Sequence, residues 1–275
     1  MSRTQPTVIF FHGLNTYGDD LLHLGRVDLG RMDRYLVPEF EKHGVRFISI
    51  NGIGDGTPEA QAGVAMSQIK QIPRSDGPIH LLGNSLGGLV ARVIATRMQV
   101  ASVISWGSPH LGAGAADLAL NFPRKYPQLT EALAKIGYVV GKNSDVYRHY
   151  SSEGLEDFNR RYPYQNSTPE HSFLCAVPLK DVSPYFWPFF APLHGLGPID
   201  FAKHVAGKSQ PVPDSDGFIT VASQTRGETH GPYYLDHFVQ AGFVSMMPTP
   251  AQRKRARQEF EKLCSDMARL IKRDV

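Results

Sequence analysis

Ile79-His80-Leu81-Leu82-Gly83-Asn84-Ser85-Leu86-Gly87-Gly88-Leu89-Val90-Ala91-Arg92-Val93-Ile94-Ala95 joins a short apolar run to a helix-like run through Gly-x-Ser-x-Gly at 83–87. The setting gives the pentapeptide its meaning. Residues 79–82 read as a short buried strand and 88–95 as the start of a helix. A serine on the sharp turn between them is held in a strained backbone, its hydroxyl exposed at the end of a sheet. Glycines two residues to either side fit a place where strand and helix fold back on each other and larger side chains would collide. The first N–H of the following helix then faces the point where a carbonyl oxygen would become negative. The pattern predicts a nucleophile at Ser85; an inert serine on a tight glycine-rich turn is the alternative.

Outward from this turn the chain alternates between strand-like and helix-like segments. Thr7–Phe11 is apolar, β-branched and aromatic, and ends at His12-Gly13. Residues 28–43 place Leu29, Met32, Leu36 and Phe40 at helical spacing, and 45–50 read as a strand leading into a glycine-rich loop at 51–58. Residues 59–72 carry Ala62, Met66 and Ile69 at helical spacing. A helix is expected over 86–98 and strands over 100–106 and 173–177. Such alternation predicts an α/β fold, a mostly parallel central sheet with helices on both faces. Sites in such sheets gather at the carboxyl ends of the strands, where His12, Ser85 and Ser108 fall. Residues 250–272 read as one helix with Phe260, Leu263, Met267, Leu270 and Ile271 on a single face, started by Thr249-Pro250. Its cluster Arg253, Lys254, Arg255 and Arg257 reads as a solvated face, with contact to anionic lipid as the alternative.

Bulk properties bound the function. The chain has 275 residues, 41% hydrophobic and 20% charged, enough for a substantial core in one domain spanning 1–275. A net charge of +3 is too mild to indicate nucleic acid. Two cysteines, Cys175 and Cys264, exclude a disulfide framework, and Cys175 reads as a buried free thiol. No run approaches the roughly eighteen apolar residues of a membrane span. The opening residues lead straight into a core strand without a secretion leader, so a cytoplasmic location is expected; a secreted protein in mature form would look the same. Gly52-Ile53-Gly54-Asp55-Gly56 lacks the lysine of a phosphate-binding loop, and Asp55 would repel phosphate.

A serine hydroxyl needs a base to remove its proton. Among 11 histidines, His237 is the strongest candidate, because it follows the last plausible strand on a loop-like segment running into a short helix. His230 and His204 are rivals. The base in turn needs a buried carboxylate that fixes its tautomer. In the chain order Ser, acid, His, the turn Asp214-Ser215-Asp216-Gly217 before the apolar run 218–221 offers Asp216, with Asp214 and Asp181 as rivals. Two backbone donors are needed for an oxyanion. Leu86 follows the nucleophile, and Leu14, after Gly13, is the natural second donor. His12 is expected to orient that loop.

Taken together these residues resemble the α/β-hydrolase superfamily and, within it, the true-lipase family of bacteria. The likeness rests on residues 8–14 (VIFFHGL), 83–88 (GNSLGG), 107–112 (GSPHLG), 215–221 (SDGFITV) and Leu235-Asp236-His237. They run in family order across most of the chain. The resemblance implies Ser85, Asp216 and His237 as a catalytic triad and Leu14 and Leu86 as oxyanion donors. It also implies a chain that begins at the third strand of the superfamily's sheet. Those lipases hold a calcium partly through an aspartate two residues after the histidine; here that position is Val239, so no metal and no cofactor are expected.

Between Gly112 and Phe173, about sixty residues do not continue the sheet, and 113–172 is expected to form a helical cap or lid. Within it Leu129, Leu133, Ile136 and Val140 form a helical stripe over 126–140. The aromatic run Pro184-Tyr185-Phe186-Trp187-Pro188-Phe189-Phe190 fits core or lid packing, with a lipid-contacting surface as the alternative. The expected activity is carboxylic ester hydrolysis on lipid or other acyl esters, with transient contact at a membrane or lipid interface. An acyltransferase or thioesterase would use the same residues, and a non-catalytic binding protein on this fold is the reading from another class.

Overall fold

The computed structural model describes residues 5–13, 21–24, 27–54, 56–73, 76–114, 116–117, 120–121, 127–128, 144–164, 167–178, 181–183, 214–247 and 249–273. Six strands form one sheet: β1 (Thr7–Phe11), β4 (Arg46–Ile50), β5 (Ile79–Asn84), β6 (Ser102–Trp106), β7 (Glu170–Cys175) and β8 (Glu228–Tyr233), in the spatial order β4-β1-β5-β6-β7-β8. Every neighbouring pair is parallel. A separate antiparallel pair joins β2 (Leu21–Leu24) to β3 (Val27–Arg31). The helices relevant to the site are α1 (Asp33–Lys42), α2 (Pro58–Ile69), α3 (Gly87–Ala95), α4 (Ser144–Tyr150), α5 (Ser152–Arg161), α6 (Val221–Gln224) and α7 (Pro250–Arg273).

The period of two in the strands divides the core between the two faces of the sheet. Val8, Phe10, Leu82, Ile104, Trp106 and Phe173 point to one side and pack with Leu36 and Phe40 of α1 and Phe260, Leu263 and Met267 of α7. Ile9, Phe11, Leu81 and Val103 point to the other, against α2, α3 and α5. Burial on both faces is why these strands read as continuous apolar runs rather than as alternating ones. Helix α7 starts as its sequence suggests. Thr249 Oγ1 accepts from the Gln252 N–H at 3.2 Å, while Gln252 Oε1 accepts from the Thr249 N–H at the same distance.

Three expectations are corrected. The helix expected over 28–43 begins only at Asp33; residues 27–31 are β3, whose backbone pairs with β2, so Leu29 belongs to a strand. Met32, Leu36 and Phe40 carry the helical stripe without it. The strand expected over 173–177 runs instead from Glu170 to Cys175. The loop-like segment expected ahead of His237 is preceded by a strand that the sequence does not announce, β8, which residues 231–233 close. That strand is a sheet edge, largely exposed and polar, and its Pro232 is tolerable because an edge strand has one side free of ladder bonds.

Candidate active site

The turn at Ser85 is as sharp as its sequence requires. Ser85 has φ +51°, the sole positive φ outside glycine among the described residues. A side chain at Gly83 would come within 2.3 Å of the Gly87 and Gly88 backbone, and one at Gly87 within 2.1 Å of the Phe11 carbonyl. Both positions therefore exclude anything larger than hydrogen. Across the turn, the Ser85 N–H donates to the Trp106 carbonyl at 3.0 Å, tying the elbow to β6.

Ser85 Oγ lies 3.1 Å from His237 Nε2, and His237 Nδ1 lies 2.7 Å from Asp216 Oδ2. The three residues come from the β5–α3 turn, the turn before α6 and the segment after β8, separated by up to 152 positions in sequence. Asp216 is fully buried. Its Oδ1 accepts the N–H groups of Phe218 at 3.0 Å and Ile219 at 2.7 Å, and its Oδ2 accepts from His237 and from Gln240 Nε2 at 2.8 Å. Four donors thus converge on its two oxygens. The His237 N–H also donates to the Asp216 carbonyl at 2.9 Å, so backbone and side chain fix the same pair.

Gln240 is a member of this cluster that sequence reasoning missed. Its Nε2 is also 2.6 Å from His237 Nδ1. With Nδ1 donating to Asp216, that contact is not a bond of its own: two donors converge on one carboxylate oxygen. Turning the amide around would set two acceptor oxygens 2.8 Å apart, so the Nε2 assignment stands. Trp106 Nε1 holds the Gln240 carbonyl at 2.9 Å, and the residue is wholly buried. Only its position three residues after the histidine, on one turn of 3-10 helix (Val239–Ala241), could have suggested it.

Asp236, also missed, sets that turn. It is wholly buried, accepts the N–H groups of Ser183, Phe238 and Val239 at 2.7, 3.0 and 2.8 Å, and burial pushes its carboxyl up to about 6. Gln224 stitches the acid turn to β7: its amide bonds the N–H and carbonyl of Cys175 at 2.7 and 2.9 Å and the Ile219 carbonyl at 3.1 Å. Cys175 is a buried free thiol whose pKa burial pushes well above its ordinary value. Phe218 lies over the imidazole of His237, ring centroids 5.2 Å apart.

The loop after β1 lies directly on the serine: a Cβ at Gly13 would stand 3.0 Å from Ser85 Cβ. His12 is buried, with Nε2 3.0 Å from Ser49 Oγ, which links that loop to the end of β4. Leu86 opens α3, so its N–H has no partner one turn back in the helix. Leu14 and His204 lie outside the described residues, as do the stripe at 129–140 and the aromatic run at 184–190. In the loop 107–112, His110 Nε2 is 2.9 Å from Ser105 Oγ, and burial holds its imidazole well below the ordinary histidine pKa.

The rival residues stand elsewhere. Asp214 is exposed. Asp181 is engaged by Tyr234 Oη and by Gln252 Nε2. His230 sits on β8, stacked on Phe173 at 4.5 Å. Within the stretch 113–172, α4 and α5 send Tyr150, Leu155 and Phe158 into the core beneath α3, and β7 begins at Glu170. Val239 is fully buried among apolar residues. Among the described residues no helix is long and apolar enough to cross a membrane.

A family model described as palmitoyl protein thioesterase matches residues 7–167. No curated protein matches the chain at a significant level. In structure the chain is similar to a metagenomic carboxyl esterase (15% identity, TM-score 0.67, covering 100% of this chain and 78% of that one). It is similar also to Staphylococcus hyicus lipase (12%, TM-score 0.58, 98% and 96%) and to the mature Bacillus licheniformis lipase BlEst2 (17%, TM-score 0.57, 86% and 86%). The fold is therefore that of the α/β-hydrolases, as the sequence motifs imply.

Proposed function

We propose that this chain, which belongs to the palmitoyl protein thioesterase family, hydrolyses carboxylic acyl esters through Ser85, His237 and Asp216. The observation that carries the reading is the unbroken relay from Ser85 Oγ to His237 at 3.1 Å and on to Asp216 at 2.7 Å. Ser85 Oγ attacks the ester carbonyl carbon while His237 Nε2 takes the hydroxyl proton. Asp216 keeps the Nδ1 proton in place and stabilises the imidazolium. The N–H groups of Leu86 and Leu14 receive the oxyanion. The alcohol leaves with the proton from His237, giving an acyl-enzyme. A water deprotonated by His237 then attacks that acyl carbon, and the acid is released with Ser85 restored.

Lipid esters are the proposed substrates, with part of the stretch 113–172 as a cap over the acyl chain. The family match supports a second reading, acyl thioester hydrolysis, in which a thiol replaces the alcohol as leaving group and every residue keeps its role. Nitrophenyl esters of increasing acyl length, with palmitoyl-coenzyme A as a thioester arm, test both. Rates that rise with chain length and fall at least about 10³-fold in Ser85→Ala are expected. A folded wild type that hydrolyses neither class, and resists a serine-reactive phosphonate, sinks the enzyme reading; a rate confined to the shortest esters removes the lipid substrate.

A further inference from the structure

His171, Glu228 and His230 meet on one face of β7 and β8, at the end of those strands remote from Ser85. The register causes this. His171 stands opposite Glu228, and His230 lies two residues further along β8, so the three side chains leave the sheet on the same side. His171 Nδ1 is 3.3 Å from His230 Nε2 and 3.6 Å from Glu228 Oε2, and His230 Nε2 is 3.9 Å from Glu228 Oε1. Adjacent ligands of a tetrahedral zinc, each at about 2.0–2.1 Å, stand about 3.3 Å apart. The two imidazole nitrogens already stand at that spacing, and the Glu228 oxygens lie about 0.3 and 0.6 Å beyond it, so a small turn of one exposed side chain would close the set.

We propose that these three residues form a Zn²⁺ site that clasps the edge strand β8 to β7. Two imidazoles and one carboxylate suit zinc rather than calcium or magnesium, which take oxygen ligands. His171 is buried and presents its Nδ1 to the other two, while Phe173 stacks on the ring of His230 at 4.5 Å and fixes its plane. Glu228 is exposed and reaches the ion from the solvent side, which leaves the fourth position to water. Without metal, the two facing nitrogens must differ, one carrying the hydrogen and the other accepting it. On binding, the donor imidazole shifts its hydrogen to its other nitrogen, both lone pairs turn to the ion, and no net proton need be released. The clasp matters because β8 is a sheet edge and runs, four residues past its end, to His237.

Isothermal titration of the full chain, freed of metal by chelator, with zinc chloride tests the site. One equivalent should bind at micromolar affinity or tighter, with no competition from millimolar Mg²⁺ or Ca²⁺. His230→Gln and Glu228→Gln keep polar side chains at accessible positions, and each should weaken binding at least tenfold with an unchanged circular dichroism spectrum. Cobalt in place of zinc should give the intense visible bands of a four-coordinate ion in wild type and lose them in both variants. Absence of saturable binding by wild type, or binding unchanged in either variant, overturns the proposal.

Discussion

The two ends of this parallel sheet each hold histidine beside a carboxylate, in opposite surroundings. At the carboxyl end, Asp216 is 0% exposed and its two oxygens take four donors. The ring of His237 is therefore held in one tautomer, with Nε2 turned to Ser85 Oγ at 3.1 Å. At the amino end of β7 and β8, the Glu228 side chain is 67% exposed and stands 3.6 and 3.9 Å from its histidines. Among the described residues no set of N–H donors converges on it, and two ring nitrogens face one another instead of a nucleophile. The residue types are the same. Burial and the count of donors on the acid are what differ, and on the two proposals they decide whether the group orients a base or stays open to a cation.

The contrast is broken most directly at the acids. Asp216→Asn should lower kcat about 10³–10⁴-fold by favouring the wrong tautomer of His237, while Asp214→Asn, at an exposed carboxylate, should change it less than about threefold. Equal losses measured on one nitrophenyl ester would return Asp214 to contention.

A pH series sharpens the comparison at the level of stability. His80 and His110 are buried, one near each end of the sheet, and burial is the main reason both pKa values are depressed, His80 to about 4 and His110 well below the ordinary value. A histidine held neutral in the fold gives stability that is complete above about 6.5 and is lost as pH falls toward its folded pKa. Asp236, raised to about 6, acts with the opposite sign, its contribution being lost as pH rises through that value. Near pH 5 unfolding would take up about two protons at the histidines and release about one from the aspartate. Stability by urea denaturation should therefore fall by about 2 kcal/mol from pH 7 to pH 5. A rise over that interval would show that the aspartate dominates.

The smallest effect is expected at Gln240. Gln240→Leu removes one of four donors to Asp216 while leaving the His237 bond, so kcat should drop about tenfold and stability by about 1–2 kcal/mol. Gln240→Glu would place a second carboxyl beside Asp216, so its pH–rate profile should shift while that of the leucine variant keeps its shape. Identical profiles in the two would reduce Gln240 to packing.

What could be read from the chain follows from the same contrast. The strands β1, β5 and β6 are buried on both faces, so their apolar runs announce them, and the turn at Ser85 announces itself through glycines that its geometry demands. The edge strand β8 has no such signature, since Glu228, Thr229, His230, Gly231 and Pro232 face water or the end of the sheet. The chain order Ser, acid, His points to residues that the fold does bring within hydrogen-bonding distance. Gln240 and Gln224 stayed hidden because a buried amide is defined by partners far away in sequence, Asp216 and Cys175. Leu29 misled because a hairpin strand can share a helix's spacing over one turn.

The left-handed backbone at Ser85 has one more consequence. Glycine would occupy φ +51° with less strain than any residue with a side chain. The direction of easier folding at this position therefore leads away from the hydroxyl. A relative that had lost its chemistry could drift to glycine there and gain stability, keeping sheet, loops and glycine-lined turn intact. On the proposed mechanism, serine stands at this place for its hydroxyl, against the preference of the backbone that holds it.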